Sequence, residues 1–337
     1  MQPAADVSPE LFWEHITGYQ RTAVLRTAVE LGLFTAIGDG ARTAAEIARA
    51  AGASERGVRT ICDALTVMGM LQKAGNDYAL TPSSAVFLSR SSPAYLGSVT
   101  DFLASPYIQR GFDTLTEAVK NGGSVVTGDG SVDPESPMWV TFARAMMPMM
   151  APTAQAIADH LDHDIERPLR ILDIAAGHGI FGITLAQKFP NAAVVGLDWK
   201  NVLEVAKENA EKFGVSGRYE TIAGSAFDVG FGGGYDVILL TNFLHHFDRD
   251  ACIALLSKCG DALNDGGKVL TLEFVPNDDR VSPPQEAMFS VVMLAGTPHG
   301  DAYTFRDLRE MAEAAGFTSN KHIPLPPSPQ HLIVSTK

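Results

Sequence analysis

The sequence predicts a doubly wound α/β sheet with an antiparallel last strand, preceded by a mostly helical domain. Three observations predict it. Leu169 to Trp199 reads as strand, glycine turn, helix and strand, with Gly177, Gly179 and Gly182 spaced G-x-G-x-x-G. Five β-α repeats are read in all, and two late apolar runs flank a proline-rich turn, which makes a closing hairpin. Residues 8 to 68 carry helical periodicity and helix caps instead.

At 337 residues the chain is long enough for two domains. Hydrophobic content of 46% and charged content of 19% are those of a soluble globular protein. The net charge of −13 argues against a chain built to grip nucleic acid. Cys62, Cys252 and Cys259 form no C-x-x-C pair, so neither a disulfide framework nor a thiolate zinc site is expected. Cys252 and Cys259 are seven apart and share a helix face, as core residues would. MQPAADVSPE has no basic segment and no long apolar run, so no signal peptide is read, and no apolar stretch reaches ~18 residues. The expectation is a cytoplasmic protein.

Taken in order, Ser8, Pro9 and Glu10 open the first helix, and Phe12, Ile16, Tyr19, Ala23, Leu25 and Ala28 recur at helical spacing. This long apolar surface suits either intrachain packing or a second subunit. Thr43 and Glu46 form a capping-box pattern. Ser54 turns into a helix from Glu55 to Met68 carrying Val58, Ile61, Leu65 and Met68 on one face, and Gly69 ends it. Leu71 and Tyr78 to Leu80 read as short strands around Gly75-Asn76-Asp77, which completes a winged helix. Its second helix offers only Arg56 and Arg59 as bases, so a structural or dimerising role is expected over DNA binding.

From Thr81 to Pro168 the chain is mostly helical, with a turn-rich stretch from Asn121 to Pro137 that reads as a mobile loop. Met138 to Met150 gathers methionines near Phe142, a soft surface suited to a helix core or to a substrate-pocket wall. The run Asp159 to Asp164 has metal-capable side chains but reads as a solvated helix end.

In the central unit an acid, Asp198, closes the second strand, where it can hold a ribose diol. The unit therefore predicts an adenosine-containing ligand. The spacing alone is that of a dinucleotide fingerprint, which leaves NAD open. Asp173, inside the first strand where such a fold carries an apolar residue, favours another ligand. Further strands are read at Arg218–Ala223, Tyr235–Leu240 and Lys268–Phe274, with a helix from Asp250 to Leu263, a turn at Asn264 to Gly267, and a capped helix from Thr304. Ligands of such sheets sit beyond the strands' carboxyl ends, where Thr241 to Phe247 also falls.

These motifs resemble those of the two-domain class I S-adenosylmethionine (SAM)-dependent O-methyltransferases, the group of plant caffeic-acid-type and bacterial polyketide-tailoring enzymes. Ala28 to Phe34 is similar to the family's opening helix, and Asp173 to Gly179 to its glycine loop. The resemblance implies a winged-helix dimerisation domain over 1–95, a helical linker and pocket wall over 96–165, and a Rossmann-like SAM domain over 166–337. It implies SAM as cofactor, a homodimer, no nucleic-acid or membrane partner and no metal. Cofactor contacts are implied for Asp173, Ala175, Gly177, Gly179, Asp198, Trp199, Ser225, Ala226, Phe227, Thr241 and Asn242. Ser225 stands where the family carries an adenine-binding Asp, with Asp228 nearby. Leu244-His245-His246-Phe247 stands in place of Leu-His-Asp-Trp, which implies His245 as catalytic base and Glu273 as the acid orienting it. A second family acid is replaced by Ala302, with Asp301 adjacent. Phe142, Met146, Met149, Phe289 and Met293 are the expected substrate contacts. The expected reaction is O-methylation of a small aromatic or polyketide-like hydroxyl; C- or N-methylation and NAD-dependent oxidation remain open.

Overall fold

The computed structural model describes residues 7–126 and 135–337. Part of the turn-rich stretch, residues 127–134, lies outside them, as do the first six residues. The chain divides into two compact units, Met1–Ala104 and Ser105–Lys337. Residues 105–165, read above as part of a linker and wall, thus fall within the second unit.

The first unit holds α1 (Glu10–Ile16), α2 (Gly18–Glu30), α3 (Leu33–Gly38), α4 (Ala44–Ala51), α5 (Glu55–Val67), the hairpin β1 (Leu71–Ala74) and β2 (Asp77–Leu80), α6 (Pro82–Phe87) and α7 (Thr100–Leu103). Gly32, at φ 68°, separates α2 from α3 in a conformation that favours glycine. Thr43 and Glu46 form the capping box of α4, and Ser54 caps α5 through Gly57 N–H. Leu33, Phe34, Ile47, Val58, Cys62, Leu65 and Tyr78 make the core. Asp63 on α5 accepts from Tyr78 Oη at 2.7 Å and pairs with Arg59 at 3.1 Å, tying helix to hairpin. The first helix starts one residue later than its cap pattern suggests: Ser8 Oγ accepts from Glu10 N, and Pro9 holds the cap position. No residue of α1 is buried. Leu11, Phe12, Trp13, Ile16 and Tyr19 are 55–71% exposed, a row of large apolar side chains left uncovered.

The second unit begins with α8 (Pro106–Asp113), α9 (Leu115–Asn121) and α10 (Pro137–His160). Then β3 (Leu169–Ile174), α11 (Ile180–Lys188), β4 (Ala192–Asp198), α12 (Lys200–Lys212), β5 (Tyr219–Ala223), β6 (Tyr235–Thr241), α13 (Arg249–Ala262) and β7 (Leu263–Phe274) alternate. α14 (Pro284–Gly296), α15 (Phe305–Ala314), β8 (Ser319–Pro324) and β9 (Gln330–Thr336) complete the chain. The sheet runs β5-β4-β3-β6-β7-β9-β8, and β9 is antiparallel to both neighbours. Ile174 pairs with Leu197 on one side and Leu240 on the other, so β3, β4 and β6 end level. Their tips therefore share one ledge. Cys252 and Cys259 are fully buried on α13, in the core beneath it.

One strand of the sheet differs from expectation. Asn264 to Gly267 reads as a turn but lies within β7. Tyr235 pairs with Leu263 while Val237 pairs with Lys268, so the extra residues bulge from the ladder. Gly266, at φ 75°, supplies the turn inside the bulge, and Gly267 has no room for a β-carbon against Asn264 O, 2.9 Å away.

Candidate active site at the strand tips

The turn after β3 uses three left-handed residues, Ala175 at φ 54°, Gly177 at 57° and Gly179 at 72°. Gly182 is required for packing: a β-carbon there would lie 2.7 Å from Val194 Cγ1. Asp173, fully buried, accepts from Gly182 N at 3.1 Å through one oxygen, and its other oxygen has no partner among the described residues. Burial pushes this carboxyl up to about 8, against the Gly182 N–H and with help from the Asp198 charge. Asp198 accepts from Gly177 N at 2.8 Å and from Trp199 N at 2.6 Å, one bond to each oxygen. Burial still pushes it up to about 6. Each of its oxygens keeps a lone pair, enough for two hydroxyls of a ribose.

Two side chains at this turn escaped the sequence reading. His178 is buried; its Nδ1 accepts from Ile180 N at 3.2 Å, so the ring proton sits on Nε2, which has no partner among the described residues. Burial holds its pKa down to about 4. Its position between two motif glycines was the one available signal. Trp139 on α10 is the other: its ring meets Phe142 at 5.7 Å and His246 at 5.3 Å, and it packs with Trp199 on Val202 and Val205 of α12. Phe142 stacks on His178, and its ring edge is 3.8 Å from where a Gly177 β-carbon would sit. It therefore covers the glycine turn. Met146 is buried and Met149 half-buried on the same helix.

Beyond β5, Gly224 N donates to Asp198 O at 2.9 Å, so the Ser225–Phe227 loop starts from the tip of β4. Ser225 Oγ accepts from Phe227 N at 3.1 Å, and its own proton is left to donate elsewhere. Ala226 is buried, and Phe227 and Asp228 are exposed.

At the tip of β6 stands the second cluster. Thr241 is buried, and Asn242 takes φ 55°, a conformation asparagine tolerates. The Asn242 side chain binds Gln330 and reaches Met150 Sδ at 3.8 Å. His245 is buried, and its Nδ1 bonds the carboxylate of Glu273. The other Glu273 oxygen accepts from Phe243 N at 3.0 Å and Leu244 N at 2.8 Å. With Nδ1 engaged as donor, His245 Nε2 is the nitrogen left to take a proton. Phe289 meets the His245 ring edge-on at 4.9 Å and stacks on Phe274 at 4.1 Å; Met293, one turn further along α14, is buried. Burial, then the adjacent His245, holds His246 well below the usual histidine range. Behind His245, a β-carbon on Gly300 would collide with its carbonyl, and Thr297 Oγ1 fixes Gly300 N at 2.8 Å. The acid beside Ala302 turns elsewhere: Asp301 pairs with Arg280 at 2.7 Å.

The two clusters fit a cationic adenosine compound. Asp198 offers ribose acceptors, and two carboxyls raised by burial gain from a positive charge bound nearby. The ledge next to them carries the His245–Glu273 pair, with Phe289 against the ring. Among the described residues, no three His, Cys, Asp or Glu side chains are gathered for a metal ion.

Comparison with known proteins gives a family model described as an O-methyltransferase domain over residues 114–318, and an O-methyltransferase dimerisation domain over 13–90. The 3-hydroxy-5-methyl-1-naphthoate 3-O-methyltransferase of Streptomyces sahachiroi is 30% identical over 93% of this chain and 91% of its own length. A Nostoc punctiforme protein, titled as an O-methyltransferase by assignment, is 49% identical at TM-score 0.94, over 99% of this chain and 100% of that one. Human N-acetylserotonin methyltransferase, solved with SAM, shares the fold at TM-score 0.87 and 20% identity, over 100% and 99% of the two chains.

Proposed function

Because the chain belongs to the O-methyltransferase family, we propose that it transfers a methyl group from SAM to a hydroxyl of a small aromatic or polyketide-like acceptor, with His245 as general base. The observation that carries this reading is the buried His245–Glu273 pair on the same ledge as the glycine turn.

SAM brings its methyl on a sulfonium, already a good leaving group, so the protein's task is alignment and proton removal. Asp198 would hold the ribose, Ser225, Ala226 and Phe227 the adenine, and the loop of Ala175, Gly177 and Gly179 would cover the amino-acid end, with Trp199 beside the ribose. Asp173 would shape the turn through Gly182. Thr241 and Asn242 would line the floor, Asn242 through its backbone, since its side chain is engaged. A phenol near pKa ~10 is mostly protonated at neutral pH, so a base helps. His245 Nε2 would take the hydroxyl proton as the oxygen attacks, and Glu273 would balance the imidazolium through Nδ1. Phe142, Met146, Met149, Phe289 and Met293 would grip a flat apolar acceptor, and the Streptomyces sahachiroi relative is named for such a ring system.

The chain carries the family's dimerisation domain, and we read the exposed α1 side chains as a homodimer surface. No helix among the described residues is long and apolar enough to cross a membrane. Three unpaired, buried cysteines suit a reducing, cytoplasmic setting.

Calorimetry tests the cofactor. S-adenosylhomocysteine should bind and NADH should not, and Asp198→Ala should weaken binding about tenfold by removing a charge-assisted contact. Binding of NADH alone would refute the reading.

A further inference from the structure

The loop after β5 is organised by a cation from below. Lys258 on α13 donates from Nζ to Ala226 O at 2.8 Å, Phe227 O at 3.2 Å and Val229 O at 2.6 Å. An ammonium has three donors, so none is left over. The same Nζ lies 4.3 Å from the centre of the Phe231 ring. Within the loop, Ser225 O accepts from Asp228 N and Val229 N at 3.0 Å each. Gly224, at φ 139°, lets Val229 close over it: a β-carbon there would meet Val229 Cγ1 at 2.5 Å. The loop thus hangs from Asp198 O at one end and from Lys258 at the other.

We infer that Lys258 is a positioning residue for the nucleoside half of the cofactor, fixing residues 225–229 as a ready-made shelf beside Asp198. The inference rests on the SAM reading above. Three carbonyl oxygens converging on one point repel one another unless a cation sits between them. Without the ammonium they would turn to water and the loop would open. A ligand would then have to order the loop on binding, which weakens affinity. The loop has no strong charge of its own to do this work. Ser225 is neutral, and Asp228, its one acid, is exposed.

The test uses the full-length protein, calorimetry, and two probes: S-adenosylhomocysteine and 5′-methylthioadenosine, which lacks the amino-acid end. Lys258→Met should lower affinity for both by about tenfold, and Lys258→Arg, which keeps the cation, by less. The KM for SAM should rise by a similar factor while turnover at saturating SAM stays within about twofold. Hydrogen exchange should quicken at amides 225–231 and stay unchanged in β3 and β4. Should Lys258→Met not fold, Lys258→Gln, neutral but still a donor, is read the same way. Unchanged affinity for both probes, or faster exchange across the whole unit with KM unaltered, would overturn the inference. If the wild type binds neither probe, the SAM reading itself has failed, and that outcome is seen before any variant is made.

Discussion

His245 Nδ1 and the Glu273 carboxylate are bound to each other in a buried pair, and the second Glu273 oxygen is held by two backbone N–H groups from the loop that carries His245. One carboxylate thus fixes both the ring and the backbone of the proposed base. Glu273→Gln can keep its oxygen on the two backbone N–H groups but turns an N–H₂ toward Nδ1, which must then accept, so the ring proton moves to Nε2, the nitrogen that should take the hydroxyl proton. Turnover should fall by about 10- to 100-fold, less than on losing the base itself, with S-adenosylhomocysteine affinity nearly unchanged. Steady-state kinetics beside calorimetry checks this. Equal loss of binding and turnover would make Glu273 a fold residue instead.

His178 sets a pH dependence of stability. Its folded pKa, about 4, lies below the ~6.5 of an unfolded histidine, so the folded state favours the neutral ring. Its contribution is present above pH ~6.5 and is lost as pH falls toward 4, with a slope of up to ~1.4 kcal/mol per pH unit. His178→Gln keeps an acceptor for Ile180 N but cannot titrate. Urea midpoints of the two proteins should diverge below pH ~6.5, with the wild type falling faster. Asp173, raised to about 8, tilts both curves the other way and cancels in the comparison. Parallel curves would show that His178 is not kept neutral by burial.

Residues joined by short sequence distances were legible. Asp173, the glycines and Asp198 sit in one β-α-β unit, whose alternation and turn chemistry can be read directly. His245, in the loop after β6, and Glu273, on β7, are 28 residues apart, and a motif was needed to pair them. Other contacts had no pattern to read. Lys258 grips backbone carbonyls about 30 residues away, and any side chain could stand above those carbonyls. Gly300 matters because a backbone approaches it, and glycine in a loop is too common to signal that. The tie between the Asn242 side chain and Gln330, 88 residues on, had no pattern to read either. The bulge at Asn264 to Gly267 depends on the neighbouring strand and could not be told from a turn.

The exposed row Leu11, Phe12, Trp13, Ile16 and Tyr19 is the surface expected to dimerise. Obligate interfaces bury more than about 2,000 Å², so the dimer should persist at micromolar concentration in light scattering. Trp13→Glu combined with Ile16→Glu should give a monomer or an aggregate. A wild-type protein that scatters as a monomer would contradict the assignment.

The central claim is that His245 is the general base, and single-turnover methyl transfer at saturating SAM measures it apart from binding. With a phenolic acceptor, His245→Ala should bind S-adenosylhomocysteine nearly as well as the wild type and transfer methyl about 10²–10⁴-fold more slowly. Raising the pH should recover part of the rate by ionising the phenol. Transfer at the wild-type rate would contradict the claim and leave alignment alone to account for catalysis.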